Sequence, residues 1–390
     1  MREDRPVRPP LADSALPPSP PQQVAPHSLL RSSAPQHCNA NLSTLPMEKF
    51  EIPVVDLSGW VGGAQGNGDD CRKLAEALHA FGIVLVRDPR VSEVDNNQFL
   101  DQMEKYYAQS DGVKDARPEF SYQVGVTPEG TERPRAHCER ISQLPDGHRP
   151  LTLCPPEADP KWRFFWTIGP RPAVTKYQQL NPPPVVPEGF ENWSTIMNAW
   201  GNKMIGALET VSRLCAIGLG LDEEAISTLM HEGPHLLAPT AGSNFDKFDS
   251  AGTVLAGYHY DFNLLTIHGK SRYPGLSVWL RDGRKMPVSV PDGCLLVQAG
   301  KQLERLTGGH VLAGFHEVAV SQATIETMRK RKQEGQSLWR ISSTCFGHVA
   351  SDQVLRPLGK FATEEALAQY PSITAGDMMQ EELKAINLAA

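Results

Sequence analysis

The sequence predicts an α+β protein with a mainly β core built as a sandwich or jelly roll, and three observations carry that reading. Beyond residue 250, short strand-like runs recur about every ten residues, with turn residues between them. Ahead of them, Ile196, Trp200, Met204, Leu208, Val211 and Leu214 repeat every three or four residues, the period of a helix packed by one face. The chain has 390 residues, 40% hydrophobic and 21% charged, ordinary composition for one large domain or two modest ones.

Taken in order, residues 1–46 hold ten of the 33 prolines and no aromatic residue. Such a segment buries too little apolar surface to offset its ordering entropy, so it is expected to be a disordered tail. Arg2, Arg5, Arg8 and Arg31 raise organelle targeting as an alternative, which Glu3, Asp4, Asp13 and the prolines disfavour. Residues 47–190 read as an N-terminal α/β lobe with a strand from Ile52 to Leu57, an amphipathic helix from Cys71 to Phe81 and a buried strand from Ile83 to Val86. Long Gly- and Pro-rich loops follow, with the aromatic cluster Trp162-Arg163-Phe164-Phe165-Trp166, which suits either a cleft wall or packing between lobes.

Residues 191–250 are scaffold helices, the long one running from about Trp193 and stopping at Gly218-Leu219-Gly220. Residues 251–350 form the core. Its strands run from Thr253 to Asp261, Leu264 to His268, Leu276 to Leu280, Pro287 to Val290, Cys294 to Gln298, Val311 to Ala313, His316 to Val320 and Leu338 to Phe346. Residues 351–390 are a C-terminal extension whose helix, from Ala375 to Ile386, lies across the barrel.

Composition excludes several functions. A net charge of −7 offers no field for nucleic acid or an anionic membrane, and no apolar run approaches the roughly 18 residues that cross a bilayer. Without a secretory-type apolar leader, a cytoplasmic protein acting on a small molecule is expected. Seven cysteines, widely spaced and with no C-x-x-C pair, argue against disulfides and a cysteine zinc site, and for a reducing compartment.

The chemistry concentrates in Gly257-Tyr258-His259-Tyr260-Asp261-Phe262. Residues two apart on a strand share a face, so His259 and Asp261 project together while Tyr258 and Tyr260 face the other way. His316, opening a later strand, supplies a third ligand. Two imidazoles and a carboxylate on one face of an octahedron, with open positions opposite, are the donor set of non-haem Fe(II) oxygenases. Arg340 and Ser342, again two apart, make a fork for a carboxylate.

These residues, with Leu264-Leu265-Thr266, Pro274-Gly275-Leu276, Asp282-Gly283 and Pro291-Asp292-Gly293, resemble the isopenicillin N synthase-like group of Fe(II)/2-oxoglutarate-dependent dioxygenases. Upstream, Ile52 to Leu57 and Phe81 to Val86 are similar to that group's N-terminal lobe. The resemblance implies a double-stranded β-helix (a cupin-like jelly roll) with a helical N-terminal lobe, Fe(II) held by His259, Asp261 and His316, and 2-oxoglutarate held by Arg340 and Ser342. It further implies an oxygenase that oxidises, in most cases hydroxylates, a small metabolite with O2, releasing succinate and CO2. Cofactor and cosubstrate carry the hard chemistry, and the protein supplies position and exclusion of water.

The chain departs from the pattern in three places. Where the group often has Asn-x-Tyr, this sequence has Asn244-Phe245-Asp246; Glu317 follows the second histidine in place of arginine; and a charged run, Met328 to Glu334, lengthens the segment before Arg340. Two alternatives therefore stand: an Fe(II) oxidase independent of 2-oxoglutarate, and a non-catalytic metal-binding barrel. His268 reads as a core or turn histidine rather than a supporting site residue, and His231, His235, His310 and His348 as structural or exposed. The basic run Arg329 to Lys332 reads as a solvated helix face.

Overall fold

In the computed structural model, which describes residues 51–62, 66–247 and 249–389, the strands enter in chain order as two facing sheets. The first ones are β1 (Val54–Asp56), β2 (Ile83–Arg87), β3 (Gly125–Thr127), β4 (Lys161–Thr167), β5 (Leu236–Leu237) and β6 (Thr240–Asn244). Then come β7 (Val254–Tyr260), β8 (Leu265–Gly269), β9 (Leu276–Trp279), β10 (Lys285–Pro287), β11 (Leu295–Ala299), β12 (Phe315–Ala319) and β13 (Trp339–Gly347). Among the described residues, the larger sheet has nine strands in the order β1-β2-β11-β8-β13-β5-β4-β3, with β6 bonded to β13 and β4. The smaller has the order β10-β9-β12-β7, and a short pair, β14 (Val354–Leu355) and β15 (Ile373–Thr374), stands apart. The proposed tail, residues 1–46, lies outside the described residues, whereas Glu51–Ala390 cluster as one compact unit.

The strand period of two sorts side chains between the layers. On β2, Val84 and Val86 join the main apolar cluster on the helical side, and Ile83 and Leu85 pack with Val278 of β9 between the sheets. On β13, Ile341 and Cys345 face the helices, leaving Arg340, Ser342, Thr344 and Phe346 to line the interior cleft.

The helices covering the large sheet are α1 (Gly68–Phe81), α2 (Glu93–Gln109) and α4 (Trp193–Gly218), with the short α3 (Cys138–Gln143) between α2 and α4 in sequence. Asn67 caps α1 by accepting from the Asp69 N–H, and Gly82 ends it at φ 74°, a left-handed conformation suited to glycine. Ser92 and Asp95 form a reciprocal capping box on α2. Further on lie α5 (Ser227–Met230), α6 (Lys301–Leu306), α7 (Gln322–Gln333), α8 (Glu364–Gln369) and α9 (Ala375–Ala385).

Several expectations need correction: the strand expected from Pro287 to Val290 sits earlier, as β10, and the segment expected to hold scaffold helices, 191–250, also adds β5 and β6 to the large sheet. Val311 to Ala313 is not a strand: it lies in the connection after α6, where the Thr307 hydroxyl accepts from the Val311 N–H. Cys138 and Cys154 form a disulfide across 16 residues, although their isolated positions argued against pairing; the turns between them, not their spacing, bring their Cα atoms to 5.5 Å. The free cysteines Cys71, Cys215, Cys294 and Cys345 are buried. Among the described residues no helix is long and apolar enough to cross a membrane.

Candidate metal and 2-oxo acid site

The adjacent strands β7 and β12 set His259 directly opposite His316, with ring centroids 4.1 Å apart. Asp261 follows β7, and its Oδ1 lies 3.7 Å from His259 Nε2 and 3.9 Å from His316 Nε2. One donor atom from each of the three falls within 4.8 Å of the others. Gly300 closes in behind them: a Cβ there would meet the Asn263 carbonyl oxygen at 2.1 Å, so only glycine lets these backbones touch.

Each ligand's remaining polar atom has a partner. His259 Nδ1 lies 2.6 Å from the Gly257 carbonyl, which leaves Nε2 free to ligate. The Thr266 hydroxyl donates to Asp261 Oδ2 at 2.6 Å. His316 Nδ1 lies 2.6 Å from the Gln298 amide. Ligation through Nε2 places a proton on Nδ1, which then bonds the Gly314 carbonyl at 3.4 Å or, with the amide turned and its 3.1 Å N–H bond to that carbonyl given up, the Gln298 oxygen. Burial, with His316 and the Lys161 cation nearby, holds the His259 ring well below the ordinary histidine range and so neutral. Burial would raise the Asp261 carboxyl, but the two imidazoles and the Thr266 hydroxyl outweigh it and hold it below the usual range. Neutral imidazoles and an ionised carboxylate are the protonation states a divalent cation requires.

Across the same cleft stand Arg340 and Ser342. Arg340 is 5% exposed, and burial pulls its guanidinium down to about 10, still protonated at neutral pH. Its Nε donates to the Pro274 carbonyl at 3.3 Å, and no carboxylate among the described residues pairs with it. Ser342 Oγ accepts from the Thr240 N–H and the Thr344 hydroxyl, which turns its own O–H toward the cleft. This donor set fits an anion with two oxygens.

The structure also places residues that the sequence left open. The aromatic cluster is β4, and it serves both proposed roles by alternation: Phe165 lines the cleft, while Phe164 and Trp166 enter the main core. Met379 and Leu383 of α9, with Ile386 and Leu388, form an apolar wall of the cleft. Beside His259 lies a buried ion cluster: Lys161 Nζ bridges Glu132 and Asp159, and Arg163 pairs with Glu132 at 2.5 Å. Burial opposes the Glu132 charge, but the Arg163 and Lys161 cations overcome that and hold its carboxyl at about 2. Lone charged residues within predicted loops gave no signal that they would meet.

Glu317, unusual beside the second histidine, turns away from the metal ligands. It accepts from the Thr152 N–H and hydroxyl at 2.8 and 2.7 Å and pairs with Lys285, tying the loop 151–152 to the back of the site. Of the expected tyrosine position, Phe245 packs on Tyr273 and Asp246 is an exposed partner of Lys332. His268 and His348 both line the cleft, against the expectation of plain core or exposed histidines, whereas His235 is structural, with Nε2 3.0 Å from the Met230 carbonyl. The basic run lies on α7, where Arg331 bonds Tyr273 and Glu104 and is not merely solvated.

Solved structures of Fe(II)/2-oxoglutarate oxygenases share this fold. A 2OG-Fe(II) oxygenase family protein from Caulobacter crescentus superposes with a TM-score of 0.65 at 22% identity, covering 85% of this chain and 98% of its own. JOX2, solved in complex with 2OG, Fe and JA, matches with a TM-score of 0.61 at 16% identity over 90% of this chain and 92% of its own. The rice dioxygenase for auxin oxidation matches at 0.57 and 17% identity over 86% and 95%. No family model matches the sequence, and no curated protein does. The chain has the jelly-roll fold of the 2OG-Fe(II) oxygenases.

Proposed function

We propose that this protein is an Fe(II)- and 2-oxoglutarate-dependent oxygenase that oxidises, by hydroxylation, a small organic molecule. The carrying observation is one cleft with two unlike ends: three metal-type donors within 4.8 Å of one another at one end and, at the other, a buried guanidinium with no carboxylate partner among the described residues. Bound Fe(II) and 2-oxoglutarate supply the oxidising chemistry, with O2 consumed and succinate and CO2 released.

The chain's own residues provide position. His259, Asp261 and His316 bind the metal, and Gly257, Thr266 and Gln298 fix their orientation. Arg340 and Ser342 orient the distal carboxylate, so that the cosubstrate reaches the metal with its 2-oxo acid end. Phe165, Leu236, Met379 and Leu383 give the substrate an apolar wall and keep water out.

The test is succinate formation from 2-oxoglutarate under O2 with Fe(II) supplied. Stoichiometric succinate in the presence of a substrate supports the proposal. A second reading, an Fe(II) oxidase that needs no 2-oxoglutarate, is favoured by the position of Phe245 and Asp246 outside the cleft; it predicts O2 uptake with no succinate.

A further inference from the structure

His268 stands on β8 directly opposite Thr344 of β13, on the inner face that also carries Arg340 and Ser342. Its Nδ1 is 2.9 Å from Thr344 Oγ1, and Thr344 Oγ1 is in turn 2.9 Å from Ser342 Oγ. The other ring nitrogen, Nε2, is buried with no hydrogen-bond partner among the described residues. A buried polar atom left in that state asks for a ligand or a water. The charges that bear on the ring, after burial, are Asp261, His316 and Arg340. The imidazole lines the same cleft as the His259, Asp261 and His316 donors at one end and Arg340 and Ser342 at the other.

We propose that His268 is a third donor of the cosubstrate clamp, its Nε2–H bonding the carboxylate that Arg340 and Ser342 hold; this rests on the 2-oxoglutarate reading above. The Thr344 hydroxyl selects the tautomer. When it donates to Ser342 Oγ, Nδ1 must carry the ring proton and Nε2 is bare. When it turns to donate to Nδ1, the proton sits on Nε2, and the Ser342 hydroxyl keeps its own hydrogen for the same carboxylate in either state. Thr344 is thus a positioning residue, and the clamp gains a donor in a rearrangement that leaves the ring neutral.

The experiment is calorimetric titration of Mn(II)-loaded protein with 2-oxoglutarate, which reads binding without turnover. His268→Ala weakens 2-oxoglutarate by about tenfold to a hundredfold, the range of one hydrogen bond to a charged group, and leaves Mn(II) affinity unchanged. His268→Gln, whose amide N–H reaches the same place, recovers most of the affinity, and His268→Leu does not. Wild-type affinity in His268→Ala, or equal recovery by Leu and Gln, overturns the assignment; should the alanine variant fail to fold, the Gln and Leu pair decides. Arg340→Ala run in parallel separates the two claims. Loss of binding there with none in His268→Ala removes only His268, whereas a wild-type protein that takes up no 2-oxoglutarate removes the cosubstrate reading itself.

Discussion

At the metal end of the cleft, the second polar atom of every ligand is already held by protein, through Gly257, Thr266 and Gln298. At the far end, Arg340 has a single carbonyl contact, and His268 Nε2 has no partner among the described residues. Both ends rest on strands, so the difference lies in what completes them. Folding alone finishes the triad end, which on the proposed function binds its metal by preorganisation. The far end holds a desolvated cation whose cost is recovered only when an anion arrives.

The largest effect should break the metal end. Asp261→Ala removes the anionic ligand, and its Fe(II) affinity should fall by more than the roughly 10–100-fold expected for losing a supporting residue. Equilibrium dialysis measures it, and unchanged iron stoichiometry would count against the triad.

Arg340 probes the other end, and in two directions. Arg340→Ala should weaken 2-oxoglutarate by about 2–3 kcal/mol, with little rescue by lysine, whose point charge lacks the planar fork. Arg340→Met should also raise the melting temperature of the ligand-free protein, by about 1–3 kcal/mol of stability, because an unpaired buried charge is removed. A Met variant less stable than wild type would show that the guanidinium is satisfied in a way this account lacks.

Thr266→Val tests how finished the metal end is. Freeing Asp261 Oδ2 should reduce metal affinity by about tenfold, with the fold intact. Affinity equal to wild type would mean that β7 and β12 fix the carboxylate unaided.

The last effect is on stability against pH. Burial, with Arg171 beside it, pushes His235 down to about 3, away from the cleft chemistry. A histidine kept neutral in the folded state contributes stability that is full above the unfolded value near 6.5 and is lost as pH falls through the window down to about 3. Each pH unit within that window costs about 1.4 kcal/mol for such a group, so His235→Gln should flatten the acid limb of the stability curve by that slope. Urea melts from pH 7 to 4 measure it.

The grouping of His259 and Asp261 was legible in sequence because strand alternation is a local rule that declares their shared face, and His316 completes a recognisable donor set. The long helix from Trp193 was legible for the same reason, its apolar period running unbroken to a glycine stop. What stayed hidden depends on pairing between distant segments. His268 looked like a core residue until β8 and β13 set it against Thr344. The ion cluster of Glu132, Asp159, Lys161 and Arg163 was equally invisible, because the fold, not the spacing, joins its members. The Cys138–Cys154 pair escaped for the opposite reason: spacing argued against it, and loop geometry overrode spacing. Helix α2 carries both a capping box and an apolar stripe, Phe99, Leu100, Met103, Tyr106 and Tyr107, local signals of the same kind as those of the long helix.

The most direct measurement is an anaerobic titration of metal-free protein with Fe(II) and then 2-oxoglutarate, followed by visible absorption. A charge-transfer band that grows with 2-oxoglutarate, saturates at one equivalent per chain and is lost in Arg340→Ala is the predicted result. Tight Fe(II) binding with no band at any 2-oxoglutarate concentration would contradict the account of a single cleft whose two ends share one cosubstrate.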